Sequence, residues 1–473
     1  MAASRNSRSP DLQHPTAPQL AHHLLQRLAE LLGEGAGAAP SPASPLSSPL
    51  LAVGLSGGRD SVALLSVLAE AVPSRGWRLV AVHVHHGLSP HADAWADFCG
   101  GLCEGLGVPL VLARVRVEAG SGEGLEAAAR RARYAVFADL DADALILGHH
   151  REDQAETLLF NLLRGSGLRG LAAMPARRLL ARSGKAPLPL LRPLLDTPRA
   201  DIEAFLQHRG CTWIEDESNQ DPAYSRNFLR HRIMPLLEAR FPAAASLART
   251  ARLAGEAEAL LEEMAADDLA AALVDGHLPS AALAGLSSPR RRNLLRHWLR
   301  QAGAPMPDFQ ALAELEKQLS CPRADGQVEW RCGQWVVRNW RGVVFLDHEP
   351  LEAASFLDSR PWQAERPVSW ASWRIVSRQV LGQGIGAAFL AEAAAFCPRQ
   401  GGENLRLPGR PNRPLKKLLQ EAHVPPWQRQ RLPLLWIGSR LAWVPGLGVA
   451  AEFCCGPDEP GWVLELAPEK VPG

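Results

Sequence analysis

From Leu51 onward, short apolar runs alternate with segments of helical period, and this alternation restricts the chain more than any other feature. The runs are LAVGL (Leu51–Leu55), LVAVHV (Leu79–Val84), PLVLARV (Pro109–Val115) and ALILG (Ala144–Gly148). Helical segments follow them, starting at Ser61, spanning Ala92–Leu106 and Gly124–Leu140, and running through Arg164. Apolar strands separated by helices predict an α/β fold with a parallel sheet covered on both faces. Sheets of this kind bind ligands in the crevice outside the strands' carboxyl ends, so the chemistry is expected just after strands.

The first strand runs into Ser-Gly-Gly-Arg-Asp-Ser, residues 56–61, and then into a helix. A glycine turn opening a helix aims backbone N–H groups and the positive helix end at one point, which suits an anion. The lysine of the P-loop ending is missing. Gly57 and Gly58 allow close backbone approach, Ser56 and Ser61 offer hydroxyls, and Arg59 adds a cation. Asp60 would repel a phosphate unless a cation stands between them, which points to Mg²⁺. A serine-capped helix with a solvated Asp would carry the same letters, so the strand–loop–helix context is what favours a site.

A second group follows the fourth strand, in GHHREDQAETLLFNLLRGSGLRGLAAM (Gly148–Met174). His149 comes directly after the strand. Asp153 and Glu156, three apart, share a helical face away from the stripe Ala155, Leu158, Leu159, Leu162 and Leu163. Two such carboxylates suit a cation, an ammonium group or a proton, although acids at a helix start are also favoured by its dipole.

The SGGRDS stretch resembles the signature of the PP-loop ATP pyrophosphatase superfamily. Gly148–Met174 is similar to the motif of the tRNA(Ile)-lysidine synthetase family. Further stretches resembling that family occur in order: HVHHGLS (His83–Ser89), LEAAARRARYAVF (Leu125–Phe137), DESNQDPAYSRNFLRHRIMPLLE (Asp216–Glu238) and Gly401–Val449. His85 stands where the family often has Asn.

The resemblance implies an N-terminal PP-loop domain, adenine nucleotide hydrolase-like, followed by a helical domain and a small mixed β-rich C-terminal domain. It implies ATP and Mg²⁺ as cofactors, cleavage between the α- and β-phosphates, and joining of free L-lysine to C2 of the wobble cytidine in a CAU-anticodon isoleucine tRNA. ATP would sit on Ser56, Gly57, Gly58, Arg59, Asp60 and Ser61, with Asp60 holding the metal. Asp60, His149, Asp153 and Glu156 are the candidate catalytic residues, with Asp153 and Glu156 binding lysine. A lysine amine, with a pKa of about 10.4, must lose a proton before it attacks. Arg130, Arg133, Arg226 and Arg230 are candidates for RNA or substrate contact, because guanidinium groups pair with phosphate. Their alternative is ordinary salt bridges.

Charge is uneven along the 473 residues, despite a net of +1. Arg399–Arg440 holds nine basic residues and two acids, and Arg290–Arg300 holds five arginines and no acid. Arg410, Arg413, Lys416 and Lys417, followed by Trp427 and Arg429, make an expected tRNA-gripping stretch. The cluster at Arg290, Arg291, Arg292 and Arg296 is a weaker candidate for the same contact. The eight cysteines form no CxxC pair. A related tRNA thiolase is therefore less favoured; a non-catalytic RNA-binding protein is the other alternative.

The length predicts several domains. Their expected bounds are a flexible extension with one short helix at 1–50, the PP-loop domain at 51–240, the helical tRNA-contacting domain at 241–350 and the basic tRNA-binding domain at 360–473. Within the second, Pro187–Pro198 reads as a proline-punctuated connector and Phe228–Leu237 as a helix broken at Pro235. The N-terminus has no apolar run with a small-residue cleavage site, and no apolar stretch reaches membrane-spanning length, so a cytoplasmic address is expected. Oligomeric state is left open, a homodimer being one form.

Overall fold

The computed structural model describes residues 16–33, 48–117, 124–217, 225–274, 277–320, 328–349, 358–370 and 373–468. Most of the Gly/Ala/Pro/Ser insert at 35–49 and the stretch 218–224 lie outside them. The chain divides into two units, Met1–Leu261 and Glu262–Gly473.

The first unit is built on six strands: β1 (Leu50–Gly54), β2 (Arg78–His85), β3 (Leu110–Arg114), β4 (Ala144–Ile146), β5 (Arg177–Leu180) and β6 (Leu188–Leu191). They lie in the order β3-β2-β1-β4-β6-β5, all neighbours parallel except β5 with β6. Helices α1 (Ala17–Leu32), α2 (Arg59–Arg75), α3 (Ala92–Leu106), α4 (Leu125–Asp139), α5 (Arg151–Leu163), α6 (Leu168–Leu171) and α7 (Arg199–Arg209) accompany the sheet. The alternation in the sequence is thus realised as a doubly wound sheet. Its winding reverses between β1 and β4, because β2 and β3 extend to one side and β6 to the other. A crevice opens at such a reversal, and the two motifs leave β1 and β4 on either side of it.

Three expectations change. Helix α1 is not part of a loose extension: Leu20, Leu24 and Leu28, four apart on one face, are buried in the core that also holds Leu64, Leu68, Ile202 and Leu206. The Pro187–Pro198 connector contains β6, whose Leu188, Leu190 and Leu191 are fully buried, and β5 pairs with it at the sheet edge. The segment Phe228–Leu237 does not break at Pro235. Helix Ser225–Phe228 passes through a π-helical turn, Leu229–Ile233, into helix Met234–Glu238. Pro235 is the second residue of that last helix, directly after the π-helical turn.

In the second unit, helices Ser280–Ala284, Ser288–Gln301 and Phe309–Ser320 share a core with the antiparallel strands Val328–Cys332, Trp335–Trp340 and Val343–His348. A separate β-rich core follows, around Phe396, Leu415, Leu434, Trp443 and Phe453. Among the described residues no helix is long and apolar enough to cross a membrane.

Candidate active site

The loop after β1 is held by its own serines. Ser61 Oγ donates to Gly58 O at 2.8 Å and accepts the Ser56 amide at 3.2 Å, while the Gly58 amide donates to Ser56 Oγ at 3.3 Å. Gly57 has φ +84°, and a Cβ there would lie 2.5 Å from Ile214 Cδ1. Only glycine permits this turn. Gly58 starts α2 in an extended conformation with no side-chain cap, so the helix's first N–H groups face outward from the loop. The turn thus places the start of α2 beside the end of β1.

Gly148, at the end of β4, closes the crevice from the other side. A Cβ added there would lie 2.8 Å from Asp60 O and 3.0 Å from Asp60 C. Gly148→Ala is expected to displace the 56–61 loop and weaken ATP binding at least tenfold, a loss of about 1.4 kcal/mol, measured by titration of the nucleotide. An unchanged affinity would mean that the loop does not rely on this close approach.

His150, rather than the expected His149, is the histidine set among the acids, as the N-cap of α5. It is buried, with Nδ1 2.9 Å from Glu152 Oε2 and Nε2 3.5 Å from Asp153 Oδ2 and 3.7 Å from Asp60 Oδ2. Asp153 reaches back to accept the His150 amide at 3.1 Å. One imidazole thus joins the metal candidate after β1 to the acids of α5. An N-cap position followed by acids two and three residues later was the available signal.

Charge states follow from this packing. Burial opposes a charge on His150, but Asp153, Glu152 and Asp60 outweigh it and hold the imidazolium up to about 9. His149 goes the other way: burial, aided by Arg192, Arg133 and Arg130, pushes it down to about 3. Burial raises Asp60, Asp153 adds to the effect, and His150 and Arg59 oppose it. Asp60 Oδ1 is buried with no hydrogen-bond partner, and Arg59 Nε is 3.5 Å away.

These two imidazoles set opposite pH limits on stability. Both have an ordinary value of 6.5 in the unfolded chain. His149 stays neutral in the fold, so stability falls as pH drops from 6.5 toward 3. His150 stays protonated, and the stabilisation it gives below 6.5 is lost as pH rises through about 9. Thermal melting in a chelator is expected to show a shallower alkaline decline in His150→Gln. An alkaline limb identical to that of the parent protein would mean another group titrates there.

Asp153 and Glu156 face the same cation. Arg230, on the π-helical turn, donates from Nε to Glu156 Oε1 and from Nη2 to Glu156 Oε2, both at 2.7 Å, and from Nη2 to Asp153 Oδ1 at 3.0 Å. Burial raises Glu156 above the usual carboxylate range despite Arg230. Burial acts the same way on Asp153, but His150 and Arg230 outweigh it and hold this acid low. Arg230, expected at phosphate or base, is committed to these acids. A cavity of about 170 Å³ adjoins them, lined by Glu152, Glu156, Arg199, Arg230, Met234, Pro235 and Glu238.

Of the remaining predicted residues, Arg59 pairs with Glu203 as well as approaching Asp60. Arg226 is half-buried four residues before Arg230. Arg130 lies on Tyr134, 4.8 Å from the ring centroid, and Arg133 is close enough to depress His86 and His149.

In the second unit, Arg410 and Arg413 share Glu421, at 3.9 and 2.8 Å, and Lys416 and Lys417 are exposed. Trp427 is not a free stacking platform: its Nε1 donates to Asp347 Oδ2 at 2.8 Å and its ring packs on Arg338 and Phe345. The arginine run 290–300 is largely neutralised from neighbouring helices. Arg290 pairs with Asp268, Arg291 and Arg292 with Glu316, and Arg300 with Glu262.

A PP-loop domain family matches residues 21–237, beginning inside α1. The TilS substrate binding domain matches 278–345 and the TilS substrate C-terminal domain 395–466. A tRNA(Ile)-lysidine synthase of Azoarcus sp. (strain BH72) is 44% identical over 430 residues, 89% of this chain and 92% of that protein. The chain belongs to the tRNA(Ile)-lysidine synthase family. A second member, from Chromobacterium violaceum, is 45% identical over 84% of this chain and 91% of its own length. Membership gives the chain an ATP-binding PP-loop domain, and residues 56–61 lie within its matched span. A solved U34-tRNA thiolase from Methanococcus maripaludis overlaps 54% of this chain and 89% of its own, at 17% identity and TM-score 0.40, too slight a likeness to bear on activity. Beside the loop, burial pushes the Cys99 thiol up to about 12, and Cys103 is raised in the same way.

Proposed function

We propose that this chain is an ATP-dependent ligase that joins free L-lysine to C2 of the wobble cytidine of a CAU-anticodon isoleucine tRNA in the cytoplasm. The observation that carries the reading is the meeting, across the β1/β4 crevice, of an anion cradle with a carboxylate pair built for a cation. In the first half-reaction the C2 oxygen of cytidine bonds to the α-phosphorus of ATP and pyrophosphate leaves. In the second, the lysine amine bonds to C2, the C2–O bond breaks, and AMP leaves with the oxygen.

The residues divide the work. The 56–61 loop holds the phosphates through amides other than those of Ser56, Gly58 and Ser61, which bond within the loop, and Gly148 keeps β4 close enough to set the acids beside them. Asp60, whose buried Oδ1 has no hydrogen-bond partner, would hold a divalent ion such as Mg²⁺, and that ion would supply positive charge against the departing pyrophosphate.

Asp153, held low, stays ionised and binds the lysine ammonium. Glu156, raised by burial, is the better proton acceptor of the two. His149, neutral at physiological pH, is too weak a base for this step, and its buried Nδ1 has no hydrogen-bond partner in the fold. Arg230 occupies both acids before lysine arrives. The exposed Lys416 and Lys417 with Arg410 and Arg413 offer a basic surface for tRNA.

The test is pyrophosphate release from ATP with and without RNA. Release that requires a CAU-anticodon isoleucine tRNA is the expected result. Release at the same rate without RNA would point to a small-molecule acceptor, and tRNA binding without any release would leave a non-catalytic binding protein.

A further inference from the structure

We propose that Arg178 and Arg192, with Tyr134 between the guanidinium groups, form a seat for an RNA backbone phosphate beside the active site. The proposal rests on the reading of tRNA as substrate. Arg192 directly follows β6 and is 2% exposed, a buried cation. It donates from Nη1 to Pro175 O at 2.8 Å and bonds to the Tyr134 side chain, and its Nε is buried with no partner. Among the described residues no carboxylate pairs with Arg192 or with Arg178. A buried charge without a counter-ion is costly, and an arriving anion would offset that cost.

The surrounding groups point the same way. Arg178, exposed on the edge strand β5, lies over the Tyr134 ring at 5.4 Å from its centroid, and Arg130 lies over it at 4.8 Å. Arg130 Nη2 also donates to the Tyr134 hydroxyl at 3.2 Å. Three guanidinium groups thus meet at one phenol, with two reachable from solvent and the third fixed beneath. Like charges gather this way at sites for planar, bidentate capture of phosphate.

The seat borders the catalytic centre, because Arg192 follows Leu191, which pairs with Ile146 of β4 and accepts the Leu147 amide at 2.9 Å, just before Gly148 and His149. It is nevertheless distinct from the nucleotide cradle. β6 is two strands from β1, an offset of about 10 Å at the ~4.8 Å strand spacing. A substrate whose cytidine reaches the β1/β4 crevice brings flanking phosphodiesters to this distance, whereas the triphosphate is already seated at 56–61.

Full-length protein and the variants Arg178→Ala and Arg192→Met are compared for binding of CAU-anticodon isoleucine tRNA, by fluorescence anisotropy over a salt series, and for binding of ATP by calorimetry. Loss of about tenfold in tRNA affinity, with a salt dependence shallower by about 0.7 in log–log slope per lost contact, is expected, with ATP affinity unchanged. Arg178→Ala lies at an exposed edge and decides the matter if Arg192→Met melts early. Weakened ATP binding with intact tRNA binding would assign the seat to the nucleotide and overturn the proposal, as would unchanged binding of both. If the unaltered protein itself fails to bind this tRNA, the fault lies with the proposed function; if it binds and Arg178→Ala binds equally well, only the phosphate seat falls.

Discussion

Asp60→Asn is expected to cut tRNA-dependent pyrophosphate release by about 10³-fold while leaving tRNA affinity nearly intact. The magnitude follows from losing charge stabilisation of a departing phosphate in a water-poor site, typically several kcal/mol. The fold has little to lose. Burial already raises Asp60, so its charged form is disfavoured there, and one of its oxygens has no hydrogen-bond partner. Removing the charge is therefore expected to leave the melting temperature unchanged or higher in the absence of ATP and magnesium. A quenched-flow measurement of pyrophosphate release decides it. Activity equal to the parent protein would take Asp60 out of the metal site, and a large fall in melting temperature would assign it a structural role instead.

Glu156→Gln should separate the two half-reactions. Transfer of lysine is expected to fall by about 10²–10⁴-fold, the usual loss on removing a positioned proton acceptor, while pyrophosphate release from ATP and tRNA changes little. Gln keeps the shape but gives Arg230 one neutral partner in place of the bidentate carboxylate at 2.7 Å. Arg230's side chain is 29% exposed, so the stability loss is well below that of a sealed pair, about 2 kcal/mol. Single-turnover assays that follow pyrophosphate and labelled lysine together make the distinction. Equal losses in both would mean that Glu156 acts by holding Arg230 and α5 in place.

Local sequence carries the parts of the fold that are local in space. The β1–loop–α2 unit and α3 stand where apolar runs, glycines and helical spacing place them, and Asp153 and Glu156 share a face because three residues make nearly a helical turn. Pairings across long stretches of chain are another matter. Arg230 meets Glu156 from 74 residues away, and nothing in either segment distinguishes that ion pair from contact with RNA. The arginines at 290–300 show the same effect. Their own run contains no acid, but Asp268, Glu262 and Glu316 on adjacent helices neutralise most of it.

The Gly/Ala/Pro/Ser sequence between α1 and β1 favours a flexible extension, yet the α1 leucines are part of the core. Of the adjacent histidines, His149 drew the attention because it directly follows Gly148. Backbone geometry decides which one turns inward to the acids, and that is His150.

The central claim is that the product is an amino acid joined to a base. The chain is incubated with ATP, labelled lysine and CAU-anticodon isoleucine tRNA, and the RNA is then treated with mild alkali, which removes aminoacyl esters. The account predicts label that survives this treatment and resides on the anticodon cytidine. Label lost with the ester, or no label at all while ATP is cleaved to AMP and pyrophosphate, would contradict it.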